Sequence, residues 1–271
     1  MILTQHKTPF ILSIITIIIA TIASIGGLFL ENLYQDNDFV KMAWFTNDII
    51  TLFVVVPLLI ITIYFSEKNS TKWLLIHLGL LGYVFYNFAF YLFGATFNMF
   101  FLIYAMLVSI SAFALILFLS NIKLHTIDIN FSKKTPVKLV SIYLIFIALI
   151  LFLVEFSMIV PFLTSGKIPQ TILQTGANTS IVFALDFTIV IPVSILSAIL
   201  IWQRNSWGFI LGIMMLVKGF TYGLVLTIGT ILLASSDVYG KWDSLFPLYV
   251  LIIIGGILGC WLLLKNFKET I

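Results

Sequence analysis

Glu155, Asp186 and Lys218 each interrupt a long apolar run, and Asp48 opens another. An ionised group prefers water, so a charge kept inside such a run carries a cost and marks a place where polar chemistry is retained. Buried carboxyls suit acid–base work, and a desolvated lysine amine is chemically available for Schiff-base formation. A carboxylate facing an ammonium makes a site for a small solute, a proton or a headgroup.

Polar residues at helical spacing extend these positions into stripes. Tyr83, Asn87 and Tyr91 recur every four residues and so share one helix face, which Gly79 and Gly94 continue. Lys218 and Tyr222 form a second such pair with Thr221 beside them, and the face set by Asp186 continues through Val190, Ser194 and Ser197. The candidate substrate-binding set is therefore Asp186, Lys218, Tyr222, Asn87, Tyr83, Asp48 and Glu155. The plainer reading of the same stripes is interhelical hydrogen bonding, worth on average about 0.6 kcal/mol per contact.

The elements that position these residues follow from composition. Of 271 residues, 61% are apolar and 9% charged, whereas a soluble domain carries about a quarter charged residues. This excludes a soluble globule and a disordered chain and leaves an all-α integral membrane protein. Eight segments can span a bilayer: 9–30, 48–66, 73–95, 98–121, 137–158, 181–203, 207–234 and 244–264. No ten-residue alternating pattern supports a transmembrane β-barrel. The first run is longer than a signal-peptide core and reads as a retained span.

Basic residues set the orientation. Ten of the Lys and Arg residues flank the side that holds both termini, and only Lys41, Lys167 and Lys241 flank the other. The positive-inside rule therefore predicts a multi-pass protein of the cytoplasmic membrane with both termini cytoplasmic and the bilayer as its main partner. The external loop 31–47 has room for a short interfacial helix with Trp44 at headgroup depth. The external loop 159–180 contains Pro161, Gly166, Pro169 and Gly176, which argue against one continuous helix. Helix rise places Asp186 roughly 8 Å below the external end of its span and Lys218 roughly 16 Å above the internal end of its own. With Glu155 near an external end, the charges gather in the external half. A snorkelling Lys218 can reach the depth of Asp186, so an ion pair between them is sterically feasible, and the sequence leaves open whether it forms.

The chain also shows signs of duplication. Pro57 and Pro192 each sit inside a span; Trp73 and Trp207 follow after 16 and 15 residues, Asn87 and Tyr222 after 30, Gly94 and Gly229 after 37. Asp48 and Asp186 precede the two prolines. This reads as one transmembrane domain, 1–271, of two parallel four-helix halves, 1–121 and 137–271, joined by a basic cytoplasmic loop, 122–136. Tyr83 and Asn87 then take the places of Lys218 and Tyr222, and the stripes are expected to face each other across a central cavity.

The single cysteine, Cys260, and His77, the one histidine within a span, cannot assemble a zinc or bis-histidine haem site, so no metal or other cofactor is expected. A retinal-type Schiff base on Lys218 finds no further supporting pattern. No metalloprotease, P-loop or nucleophile-elbow motif occurs, so the enzyme reading is not favoured. The net charge of +3 sits near span ends and does not suggest nucleic-acid binding. Lysine, isoleucine and asparagine usage suggests a bacterial source. The leading expectation is a polar site in the external half that binds or transports a small solute or ion. One alternative is an enzyme acting on a lipid or isoprenoid at the outer leaflet, with Asp48, Glu155 or Asp186 as acid or base. The other is an accessory subunit that joins a membrane-protein partner and has no chemistry of its own.

Overall fold

The computed structural model describes residues 7–235 and 242–268, with the backbone alone at 128–130. Lys241, one of the three basic residues placed outside above, lies outside the described residues. The described residues are helical and contain no strand. Eight helices are long and apolar enough to cross a membrane: Lys7–Phe29, Asp38–Glu67, Thr71–Gly94, Phe101–Asn121, Val137–Ser165, Ile181–Trp202, Ser206–Ala234 and Phe246–Leu264.

In chain order these are α1 (Lys7–Phe29), α2 (Asp38–Ile50) continuing into α3 (Val56–Glu67), α4 (Thr71–Gly94) and α5 (Phe101–Asn121). A short α6 (Leu124–Asn130) follows, then α7 (Val137–Ser165), a short α8 (Gln170–Thr175), α9 (Ile181–Leu185) continuing into α10 (Ile191–Trp202), α11 (Ser206–Ala234) and α12 (Phe246–Leu264). One end of the bundle is rich in loops, at 30–37, 95–100 and 166–180. The other end carries the short turns at 68–70 and 203–205 and the basic stretch around α6.

Outward faces are as apolar as inward ones. Ile11, Ile14, Ile18, Ile22 and Ile25 line the exposed side of α1, and Ile254, Ile257 and Leu258 that of α12. A soluble helix shows the opposite, a polar outer face. Small residues instead mark the interior. Gly256 lies where a Cβ would come 2.7 Å from the Leu216 carbonyl, and Gly255 receives the Tyr143 ring, so this pair packs α12 onto its own chain.

Two helix boundaries differ from the sequence expectation. The segment before span 2 is no separate interfacial helix. Asn37 accepts a hydrogen bond from the Val40 amide at 3.0 Å and starts a helix that runs unbroken into the span. Trp44 is fully buried inside the bundle: its ring packs on Tyr91 and Phe90, and its indole N–H donates to Asp36 at 3.0 Å. At the other long loop, α7 continues through Pro161 and ends at Gly166, in the left-handed conformation (φ 68°). One missing N–H does not stop a long apolar helix whose remaining backbone bonds are intact.

The two prolines inside spans act alike. Each follows a π turn, Thr51–Val55 before Pro57 and Asp186–Val190 before Pro192. A proline ring crowds the carbonyl one turn back, and a wider turn relieves it. The Val56 amide reaches Thr51, and the Ile191 amide reaches Asp186, each five residues back. Both prolines face outward, while Thr51 and Asp186 are buried. The correspondence extends along the backbone. α3 and α10, the two π turns, the left-handed residues Asn69 (φ 67°) and Arg204 (φ 57°), and the first residues of α4 and α11 are each 135 residues apart. In that frame Asp186 matches Thr51 rather than Asp48, and Trp73 matches Gly208 rather than Trp207.

Candidate functional site

α4 and α11 meet in the middle of the bundle because glycine lets them approach. A Cβ at Gly79 would come 2.5 Å from that of Val217. Two turns further along α4, Tyr86 reaches α11. Its ring lies 3.6 Å from the Lys218 ammonium, and the Tyr222 ring lies 4.6 Å from it on another side. The two rings meet edge to face at 5.2 Å and 74°. A desolvated cation over an aromatic face gains about 2 kcal/mol, which partly replaces its lost hydration. The Tyr86 hydroxyl donates to Asp186 Oδ1 at 2.7 Å. One tyrosine thus serves both charges, with its face toward the cation and its hydroxyl toward the carboxylate.

Lys218 and Asp186 make no ion pair within 4 Å, although the two groups are near enough to interact electrostatically. Tyr86 stands between the two groups, and its rigid ring offers Lys218 a nearer partner than the carboxylate. Glu155, on α7, is 4% exposed, and its carboxyl lies close enough to interact with both Asp186 and Lys218. Its Oε2 has no hydrogen-bond partner. A buried acceptor left unpaired carries a desolvation penalty of about 1–3 kcal/mol, more when charged.

Glu155, Asp186, Lys218 and Tyr222 line a cavity of about 790 Å³ between α7, α10, α11 and α12. Tyr143 closes its floor by seating on Gly255 and donating to the Ile252 carbonyl at 3.2 Å. The cavity extends toward the loop-rich end, where Gln174, Trp242 and Asp243 border it. Apart from the charged cluster its walls are mostly apolar, as small-molecule sites generally are.

The remaining candidates lie elsewhere. Tyr83, Asn87 and Asp48 do not line the cavity but belong to a packed network around α2 and α4. Tyr83 and Thr51 hydroxyls are 3.2 Å apart, and the Asn87 amide donates to Thr51 at 3.4 Å. Asp48, 1% exposed, accepts from the Tyr34 hydroxyl at 2.6 Å and from the Tyr91 hydroxyl at 3.1 Å. Burial and the adjacent Asp48 carboxyl push the Tyr34 phenol above its ordinary range, so it remains a donor. Gly27 makes this possible, because any side chain there would collide with Asp48 and Tyr34. Asp36 extends the network to the 95–100 loop by accepting from the Thr96 amide and hydroxyl at 3.0 and 2.9 Å. The two polar stripes therefore do not face one another across a central cavity. The first stripe turns toward Thr51, while Lys218 and Tyr222 pack on Tyr86 of α4.

His77 is fully buried and bridges three helices, with Nδ1 2.9 Å from Thr62 and Nε2 3.0 Å from Ser13. Cys260 is half-buried rather than fully enclosed. Among the described residues, no group of three or more His, Cys, Asp or Glu side chains could hold a metal ion.

Tyr86, Tyr34 and Asp36 escaped the sequence reading. Only Tyr86 carried a signal, since it extends the Gly79-x-x-Gly82 row that lets α4 approach its neighbour. No family model, no curated protein sequence and no solved structure matches this chain.

Proposed function

We propose that the protein is a multi-pass protein of the cytoplasmic membrane, with both termini cytoplasmic and the loop-rich end outside, that binds and transports a small solute through the cavity in its second half. The observation carrying this reading is the cavity itself. An open space of about 790 Å³ ends at two carboxyls and a lysine in a bundle whose surfaces are otherwise apolar. Intramembrane charges that border a cavity are where substrate and ion pathways run. The recurrence of backbone features at 135 residues supports two halves, 1–121 and 137–271, related by an axis along the membrane normal. In this reading the first half is filled and serves as the scaffold, while the second is hollow and moves against it.

The test uses paired cysteines in a Cys260→Ala background. Gly219 lines the cavity, and a Cβ there meets only Ile252, at 3.5 Å. Its counterpart 135 residues earlier, Val84, is fully buried. A membrane-impermeant trimethylammonium methanethiosulfonate added outside intact cells should modify Gly219→Cys and leave Val84→Cys untouched. Modification of Gly219→Cys only after permeabilisation, or of neither, would remove the external cavity from the account.

A further inference from the structure

We infer that the cavity takes a monovalent ammonium group carried on an apolar body; this deepens the binding reading above and rests on it. The first argument is charge. Two carboxyl groups, Glu155 and Asp186, stand against one amine, Lys218, so the cluster holds more acidic than basic groups. The second is which valences are free. The Lys218 ammonium is already placed over the Tyr86 and Tyr222 rings, and Asp186 Oδ1 already accepts from Tyr86. Glu155 lines the cavity beside Asp186, and its buried Oε2 has no hydrogen-bond partner. What the site lacks is a donor, and an ammonium brings three. The third is the wall. Tyr222, Tyr249 and Trp242 supply aromatic faces suited to a cation, and the many aliphatic residues supply apolar cover for its body. An anion would meet two carboxyls, with the one cation turned into its aromatic cage.

The ammonium can belong to a free amine or to the headgroup of a lipid such as phosphatidylethanolamine. The experiment separates these. Thermal unfolding of the purified protein in dodecyl maltoside is followed with hexylamine, hexanoate or hexan-1-ol, which share one chain and differ in charge. Separate samples receive phosphatidylethanolamine or phosphatidylglycerol. Hexylamine should raise the midpoint saturably while hexanoate and hexanol do not. Protection by phosphatidylethanolamine alone would assign the ammonium to a lipid. Glu155→Gln should weaken the protecting ligand roughly 10- to 100-fold, the loss of one charge-assisted hydrogen bond. Gly219→Leu, which fills the cavity without touching a charge, should abolish protection.

Protection by hexanoate or hexanol equal to that by hexylamine would overturn the ammonium assignment and leave the binding cavity standing. Absence of protection by every probe, with Gly219→Cys still labelled from outside, would also overturn the assignment alone. Absence of both protection and labelling would overturn the binding reading with it.

Discussion

Tyr86→Leu is expected to destabilise the protein by about 4 kcal/mol or more, while Tyr86→Phe costs about 1.5–3 kcal/mol. The phenylalanine variant keeps the ring 3.6 Å from the Lys218 ammonium and loses only the hydroxyl that donates to Asp186. A hydrogen bond to a charged group accounts for its smaller cost. The leucine variant also removes one of the two aromatic faces beside a buried cation, worth about 2 kcal/mol when desolvated. Denaturant unfolding in detergent, followed by tryptophan fluorescence, measures both. Equal losses for the two variants would mean that Lys218 does not depend on the ring. A further sign would be Lys218→Met restoring part of the stability of Tyr86→Leu, because the unaccommodated charge is then gone.

The second large effect lies in the other cluster. Asp48→Leu is expected to cost about 3–5 kcal/mol and to leave ligand protection by hexylamine intact. Its carboxylate accepts two buried phenols, at 2.6 and 3.1 Å, in a space that Gly27 leaves only just open. Leucine accepts neither bond and does not fit that shape. Tyr34→Phe, which removes one donor and no volume, should cost about 1–2 kcal/mol. The same unfolding measurement checks both variants. A loss of ligand protection in Asp48→Leu at temperatures where it is still folded would place Asp48 in the binding machinery and contradict the division between the two clusters.

Much of the fold was legible because its signal is local. An apolar run of some twenty residues becomes a spanning-length helix whatever its neighbours do, so the eight spans could be read from the chain. Their ends were less legible. The α2 start depends on the Asn37 cap and on burial of Trp44 against Tyr91, which is 47 residues away along the chain. The polar stripes could be read as buried, since Tyr83, Asn87 and Asp186 each sit inside. Their directions could not, because helical periodicity shows which residues share a face and not which neighbouring helix that face meets. Grouping Asp48 with Asp186 followed from their positions before the prolines. The backbone instead pairs Asp186 with Thr51 and places Asp48 three residues outside that frame. The Tyr86–Asp186 bond joins residues 100 positions apart, and nothing in either segment announces the other.

The two clusters also differ in what they contribute to stability. In the first cluster both oxygens of the Asp48 carboxyl accept from buried phenols, although Asn87 Oδ1 in the same network has no partner. In the second cluster Glu155, which lines an open cavity, has a buried oxygen, Oε2, with no hydrogen-bond partner.

Glu155→Leu tests this central claim most directly. Its unfolding free energy in detergent, without any ligand, should equal or exceed that of the wild type, because leucine removes an unpaired buried carboxyl and adds apolar surface of similar size. A loss of about 2 kcal/mol or more, approaching that of Asp48→Leu, would make Glu155 part of the scaffold and contradict the account.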